Sequence, residues 1–339
     1  MHLVFNLFEN CNLQCRYCYK NEIKGFTKLA IEPMDLEIID KILQKCASFL
    51  NSITVNITGG EPLLNKNLIY EILKNSIRYR DKIKKTTVTT NGTLISKKFA
   101  KTVKMLCPDI EIDVTIDGPP TIHNLQRPAK REEDSHSPAL QGIENALSNG
   151  IKVTLNSVIT RNQLEFGSLP YYEYMNSIGA PWIFGKAITD NKSLKVSENE
   201  FNSFAIEVLN HWASDENYST DQPNTLIDSL ILKAIEKIPE SPSERCAYSL
   251  LSFAGNTGLV WPCTKLIPYK EFCLGSLVDE RKEHILDNPI RKSIYNLFQY
   301  DNTCAHEALI EKGTIMPLPD IAIERNKFSN FLKEAINSQ

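Results

Sequence analysis

Short runs rich in β-branched residues alternate along the first part of the chain with stretches whose apolar residues recur at helical spacing. The strand-like runs are His2–Phe8, Ser52–Ile57, Thr86–Thr90, Glu111–Ile116, Lys152–Ile159 and Trp182–Ile188. Between them the clearest amphipathic stretch is Met34–Leu50, where Leu36, Ile39, Ile42, Leu43, Cys46, Phe49 and Leu50 share one helical face. Lys66–Ser76, Ser96–Leu106, Ala139–Ser148 and Leu164–Ser177 follow the same rule. Strands and helices that alternate in this way predict a parallel sheet with helices outside it, either as an open layer or as a barrel. The polar stretch Pro128–Pro138 is expected to be a mobile loop between the fourth strand and its helix.

Beyond the sixth strand the pattern changes. Ser197 and Glu200 form an S-x-x-E capping box ahead of a helix carrying Phe201, Phe204, Val208, Leu209 and Trp212. Polar Asp215–Asn224 and Pro239–Glu244 then interrupt it. The expected organisation is a main α/β domain over 1–214, a linker with a helix over 215–244, and a small C-terminal domain over 245–339.

Charge and composition narrow the functional classes. Lys plus Arg number 38 against 41 Asp plus Glu, which gives no electrostatic case for a nucleic-acid partner. The basic residues between Lys74 and Lys104 read as a solvated helix surface. No signal-like N-terminus or long apolar run is present, so a cytoplasmic, non-membrane protein is expected. In a reducing compartment the nine cysteines call for metal or cluster ligation rather than disulfides.

Cys11, Cys15 and Cys18 stand in a C-x₃-C-x₂-C spacing directly after the first strand. Such a loop can wrap three thiolates around one cluster and leave one iron without a protein ligand. A structural zinc would need a fourth Cys or His nearby; the next is Cys46, on the apolar face of its helix and so a core residue. Thr58-Gly59-Gly60-Glu61-Pro62 follows the second strand, Thr89–Thr93 (TTNGT) ends the third, and Thr115–Arg127 (TIDGPPTIHNLQR) ends the fourth. All lie where a parallel sheet carries its site, at the carboxyl ends of strands.

These segments, in this order, resemble the radical S-adenosylmethionine (SAM) superfamily, in particular its peptide and protein maturases. The resemblance implies a partial (β/α)6 barrel and a [4Fe–4S] cluster on Cys11, Cys15 and Cys18. SAM would chelate the open iron and yield, on reduction, a 5′-deoxyadenosyl radical. It further implies that Tyr17 lies against the adenine and that Gly59, Gly60 and Glu61 meet the SAM amino group. Asn91, Thr115 and Arg127 become further SAM contacts, an Arg being suited to a carboxylate. Asp117 is either a catalytic group or a turn cap, His123 is expected to make a structural hydrogen bond, and Val158 and Asn162 match the fifth-strand region.

Cys246, Gly258 and Cys263 make a C-x₁₁-G-x₄-C arrangement that resembles the start of SPASM and Twitch domains. The resemblance implies a β-hairpin and a single auxiliary [4Fe–4S] cluster on Cys246, Cys263, Cys273 and Cys304, with Cys273 alternatively a hydrogen donor. Cys107 is expected in the core. A twin-cluster chain of this kind implies modification of an amino-acid residue in a ribosomally made precursor peptide by cross-linking, oxidation or epimerisation. Thr264 stands where sulfatase maturases carry an Asp, which places formylglycine formation behind that reading. A Twitch-type dehydrogenase of a small molecule is the other alternative. The first strand starts almost at Met1, so peptide recognition is expected from the barrel mouth, the C-terminal domain or a separate leader-binding protein. The electron is expected from a reductant such as flavodoxin or ferredoxin.

Overall fold

The computed structural model describes residues 1–18, 20, 32–130, 134–189, 191–215 and 250–292. Six parallel strands form its main body: β1 (His2–Asn6), β2 (Ile53–Thr58), β3 (Ile83–Thr90), β4 (Glu111–Thr115), β5 (Lys152–Ile159) and β6 (Trp182–Lys186). They lie in sequential order β1 to β6, each paired in parallel with the next, in an open, partly closed barrel. Outside run α1 (Leu36–Phe49), α2 (Lys66–Ser76), α3 (Lys97–Leu106), α4 (Pro120–Gln126), α5 (His136–Leu147), α6 (Arg161–Phe166) and α7 (Ser168–Ser177).

Alternation within the strands decides which face is which. Val55, Ile57, Ile112, Val114, Val153 and Leu155 are buried beneath the helices, whereas their neighbours Asn56, Thr58, Asp113, Thr115 and Asn156 are only partly covered. A parallel sheet closed on both faces by helices reads as continuous apolar sequence; here one side is polar and faces the barrel interior. The helices contribute matching stripes, such as Ile39, Ile42, Leu43 and Cys46 of α1 and Phe99, Ala100 and Val103 of α3. Cys46 is therefore in the core, as expected. Asp35 caps α1 by accepting from the Ile38 N–H, and Ser96 caps α3 in the same way from Phe99.

Three local differences from the sequence reading have physical causes. The expected helix over Leu164–Ser177 is two helices, because Gly167 at φ +101° turns the chain between α6 and α7. Residues 120–126 form α4, with Pro120 in its first turn where a missing N–H costs nothing. Helix α5 starts at His136, inside the stretch expected to be a loop: Asp134 and Asn124 both accept from the N–H groups that open it.

The capping box at Ser197 and Glu200 is formed and opens α8 (Glu198–Ala213). Strands β7 (Leu250–Ala254), β8 (Leu259–Trp261) and β9 (Gly275–Ser276) make the expected hairpin, followed by α9 (Lys282–Leu286). The hairpin is continuous with the barrel sheet: β7 pairs in parallel with β1 from His2↔Leu250 to Asn6↔Ala254, and Phe5 stacks on Phe253 at 5.5 Å. Lys45 of α1 reaches across to the Val278 and Glu280 carbonyls. Among the described residues no helix is long and apolar enough to cross a membrane.

Candidate functional site

The carboxyl ends of β2 to β6 and the loop after β1 surround a cavity of about 710 Å³. Cys11, Cys15, Tyr17 and Cys18 line it from the loop; Thr58, Thr115, Val158 and Lys186 line it from strand ends.

The cysteine loop is held by backbone pairing on two sides. On one, Gly60 N–H donates to the Phe8 carbonyl at 2.7 Å and Glu61 N–H to the Asn10 carbonyl at 2.8 Å. A Cβ on Gly60 would stand 2.2 Å from the Asn10 carbonyl oxygen and one on Gly59 2.8 Å from that of Phe8, so the glycines are required by the chain's own loop. On the other, Gln14 N–H donates to Pro128 O, Arg16 N–H to Gln126 O and Lys130 N–H to Asn12 O, each within 2.8–3.1 Å. Cys11 sulfur accepts from the Leu13 N–H at 3.4 Å and from Asn91 Nδ2 at 3.9 Å.

The donor set fits a cluster. Cys11, Cys15 and Cys18 are free, half-buried thiols, and all three line the one cavity. A polynuclear cluster takes one thiolate at each of several corners and suits a loop that offers three of them to one cavity. Burial pushes the Cys15 thiol up to about 12 and also raises Cys18, so binding as thiolates releases protons.

Tyr17 and Arg127 on the cavity wall join buried Asp117 in a trio. Arg127 Nη1 donates to the Tyr17 hydroxyl at 2.5 Å, Tyr17 donates to Asp117 Oδ2 at 2.5 Å, and Asp117 Oδ1 accepts from Val158 N–H at 3.0 Å. Arg127 Nη1 is 3.9 Å from Asp117 Oδ2. Burial raises the Asp117 carboxyl while the guanidinium and the hydrogen bonds pull it down. Arg127 Nε is buried without a hydrogen-bond partner in a residue that lines the cavity, an unmet donor of the kind an anionic ligand group would satisfy. Asp117 itself is fully buried and sits behind Tyr17 and Arg127 rather than on the cavity surface. His123 Nδ1 accepts from the Asp117 N–H at 3.3 Å, and burial drives its ring down to about 2, so it stays neutral.

Gly59, Gly60, Asn91 and Thr115 line the cavity; Glu61 does not. Its carboxylate is fully buried and accepts from Leu63 N–H, Thr90 Oγ1 and Asn91 N–H at 2.6–3.0 Å, tying the turn after β2 to the end of β3. Val158 is at the cavity wall, and Asn162 Nδ2 is buried without a partner. A network absent from the sequence reading joins Gln126 to Thr160 and Gln163, and Gln163 to the Asp117 and Val158 carbonyls. It locks α4, with Arg127 at its end, to β4 and β5.

In the C-terminal segment Cys263 follows β8 and is half-buried, as is Cys273, whose thiol lies 4.0 Å from the Gly275 carbonyl. Neither lines the cavity, but Lys265, two residues beyond Cys263, does. Cys246 and Cys304 lie outside the described residues, as do residues 216–244 of the expected linker. Cys107 is partly buried at the end of α3.

Comparison with known proteins bears on the family and the fold. The chain is 32% identical over 173 residues to an uncharacterized protein of Methanocaldococcus jannaschii, covering 51% of this chain and 56% of the relative. It is 28% identical over 213 residues to GTP 3′,8-cyclase of Clostridium perfringens, covering 61% of each. The chain thus spans little more than half the length of these curated relatives. Among solved structures, anSMEcpe, an anaerobic sulfatase maturase, with bound AdoMet has the same fold: TM-score 0.79 over 99% of both chains, at 16% identity. SuiB of Streptococcus suis superposes with TM-score 0.67 over 95% of this chain and 76% of its own, at 17% identity. The Radical SAM superfamily matches over residues 5–165, the stretch that holds the thiol loop, the glycine turn and the Tyr17–Asp117–Arg127 trio. Residues 5–165 of this protein are a radical SAM domain.

Proposed function

We propose that this protein is a radical SAM enzyme that modifies an amino-acid residue of a ribosomally made peptide. The observation that carries the reading is the convergence of three thiols, an unmet buried arginine donor and the ends of five parallel strands on one cavity. A [4Fe–4S] cluster and SAM, when bound, would supply an organic radical able to take hydrogen from a C–H bond. Cys11, Cys15 and Cys18 hold that cluster. Arg127, kept in place by Tyr17 and Asp117, offers its free Nε–H to a carboxylate of the cofactor. Backbone at Gly59 and Gly60 and the side chains of Asn91 and Thr115 complete the wall. Asp117 serves in this reading as a positioning residue rather than a catalytic group, because both its oxygens are engaged.

Cys263 and Cys273 are the described members of an auxiliary-cluster set completed by Cys246 and Cys304. The peptide substrate is supported by fold over the whole chain: anSMEcpe has been solved with the Cp18Cys peptide and SuiB with precursor peptide SuiA. A flavodoxin or ferredoxin is the expected electron source, and a separate leader-binding protein is compatible with the reading. The GTP 3′,8-cyclase relatives support a nucleotide substrate instead.

Mass spectrometry of a candidate precursor peptide co-expressed with the protein tests this. Loss of hydrogen marks oxidation or cross-linking, and deuterium uptake from labelled water at unchanged mass in light water marks epimerisation. Release of 5′-deoxyadenosine with no change in any candidate peptide, and turnover of GTP, would replace the peptide by a nucleotide.

A further inference from the structure

The cavity wall carries five cationic side chains, Lys20, Arg127, Lys130, Lys186 and Lys265, and one carboxylate, Glu9. Three of the cations are matched. Lys20 pairs with Glu9 at 2.8 Å, Lys186 with Glu198 at 2.6 Å, and Arg127 faces buried Asp117 at 3.9 Å. For Lys130 and Lys265 no ion pair or side-chain hydrogen bond exists among the described residues. The two come from separate parts of the chain. Lys130 follows Arg127 by three residues, and its own backbone is hydrogen-bonded to the cysteine loop at Asn12. Lys265 sits in the short turn after β8 and is the one lining residue contributed by 250–292.

Cations whose charge is cancelled by a fixed carboxylate attract little from solution. Two uncancelled ones lining one concave site focus a positive potential there and favour an anion. Lysine suits a carboxylate that arrives in variable geometry, since its ammonium is a point charge on a flexible stem, whereas the rigid fork of Arg127 is engaged with Tyr17. Lys265 is half-buried and reaches the cavity from a distant segment, which places it to meet what enters, while Lys130 is exposed to solvent on the same cavity's lining.

We propose that Lys130 and Lys265 form an anion-receiving rim and that the peptide substrate carries an Asp or Glu beside its modified residue, which this rim binds. The proposal rests on the peptide reading above and adds to it the chemistry of the flanking sequence. Lys265 joins the C-terminal segment to recognition, and Lys130 joins recognition to the loop that bears the thiols.

The test is fluorescence anisotropy on the anaerobically reconstituted full chain with SAM present. The probes are a short fluorescein-labelled Glu–Gly repeat and a matched Gln–Gly repeat, with GTP as an unlabelled competitor. At low salt the Glu probe is expected to bind about tenfold more tightly than the Gln probe, and the difference should shrink as salt rises. Lys265→Glu and Lys130→Glu should each weaken the Glu probe about fivefold or more, with Lys265→Gln intermediate. Lys101→Glu, on the exposed side of α3 and outside the cavity, should leave it unchanged. Equal binding of the two probes, or equal losses in the Lys101 variant, would overturn the rim. GTP binding more tightly than the Glu probe with the same lysine dependence would overturn the peptide occupant. Release of 5′-deoxyadenosine by the same wild-type preparation is read separately: its absence counts against the radical SAM reading, while a missing Glu preference beside normal release counts only against the rim.

Discussion

At the scale of single residues, the site depends on two contacts that have different consequences when lost. Gly60 lets the turn after β2 lie against the cysteine loop, and any side chain there meets the Asn10 and Glu9 carbonyls. Gly60→Ala is expected to destabilise the fold by about 1–3 kcal/mol, the usual range for overpacking. It should also lower the iron bound per chain, and thermal unfolding beside iron analysis checks both; unchanged iron would separate the turn from the thiol loop. Tyr17→Phe keeps the ring and removes the hydroxyl that bridges Arg127 and Asp117. It leaves the buried Asp117 Oδ2 without its hydroxyl donor, at about 1–3 kcal/mol, and frees the guanidinium. The expected result is several-fold weaker SAM binding with unaltered iron content; unaltered SAM affinity would mean that Arg127 is held by other means. Local sequence could show the glycines, Tyr17 and Arg127 as candidates, but not that the tyrosine hydroxyl would meet the guanidinium. It could not show that the Glu61 carboxylate would be consumed by Thr90 and Asn91, because those partners are about thirty residues away.

At the scale of elements, strand and helix periods were legible wherever one face is apolar: α2 and β5 have the boundaries that periodicity predicts, and β3 starts only three residues earlier. What escaped was structure set by contacts rather than by period. Helix α4 is short and bracketed by prolines, and the Gln126–Thr160–Gln163 network joins side chains that no spacing rule connects. Asp113 belongs to the same class. It shares the inner face of β4 with Thr115, and burial pushes its carboxyl up to about 6 from the ordinary 3.8. Between these values the folded chain keeps a proton that the unfolded chain has lost. Stability therefore falls as pH rises from about 4 to about 6 and does not return above that window. Asp113→Asn should flatten this slope and stabilise the protein at neutral pH by about 1–2 kcal/mol, less than the full shift implies because the group is partly hydrated. Urea titrations at several pH values measure it, and an identical slope in the variant would assign that dependence elsewhere.

At the scale of the molecule, the sheet passes without a break from the radical SAM domain into the C-terminal hairpin, through β1 and β7. The sequence shows the change of pattern after residue 215 but not this pairing, since parallel partners nearly 250 residues apart leave no local mark. One consequence is mechanical. Phe253→Ala removes the ring stacked on Phe5 and should cost about 3–5 kcal/mol. The loss should appear as a lower midpoint for the whole unfolding transition, whereas an early separate transition would show that the hairpin unfolds on its own. The other consequence is functional, because the same continuity brings Lys265 to the cavity of the thiol loop. The function proposed for that cavity stands or falls with an iron left open by Cys11, Cys15 and Cys18. Electron paramagnetic resonance of the anaerobically reduced protein, with and without SAM, examines that iron most directly. The expected result is a cluster signal that changes on adding SAM and is lost from Cys15→Ala; a signal indifferent to SAM, or zinc in place of iron, would contradict it.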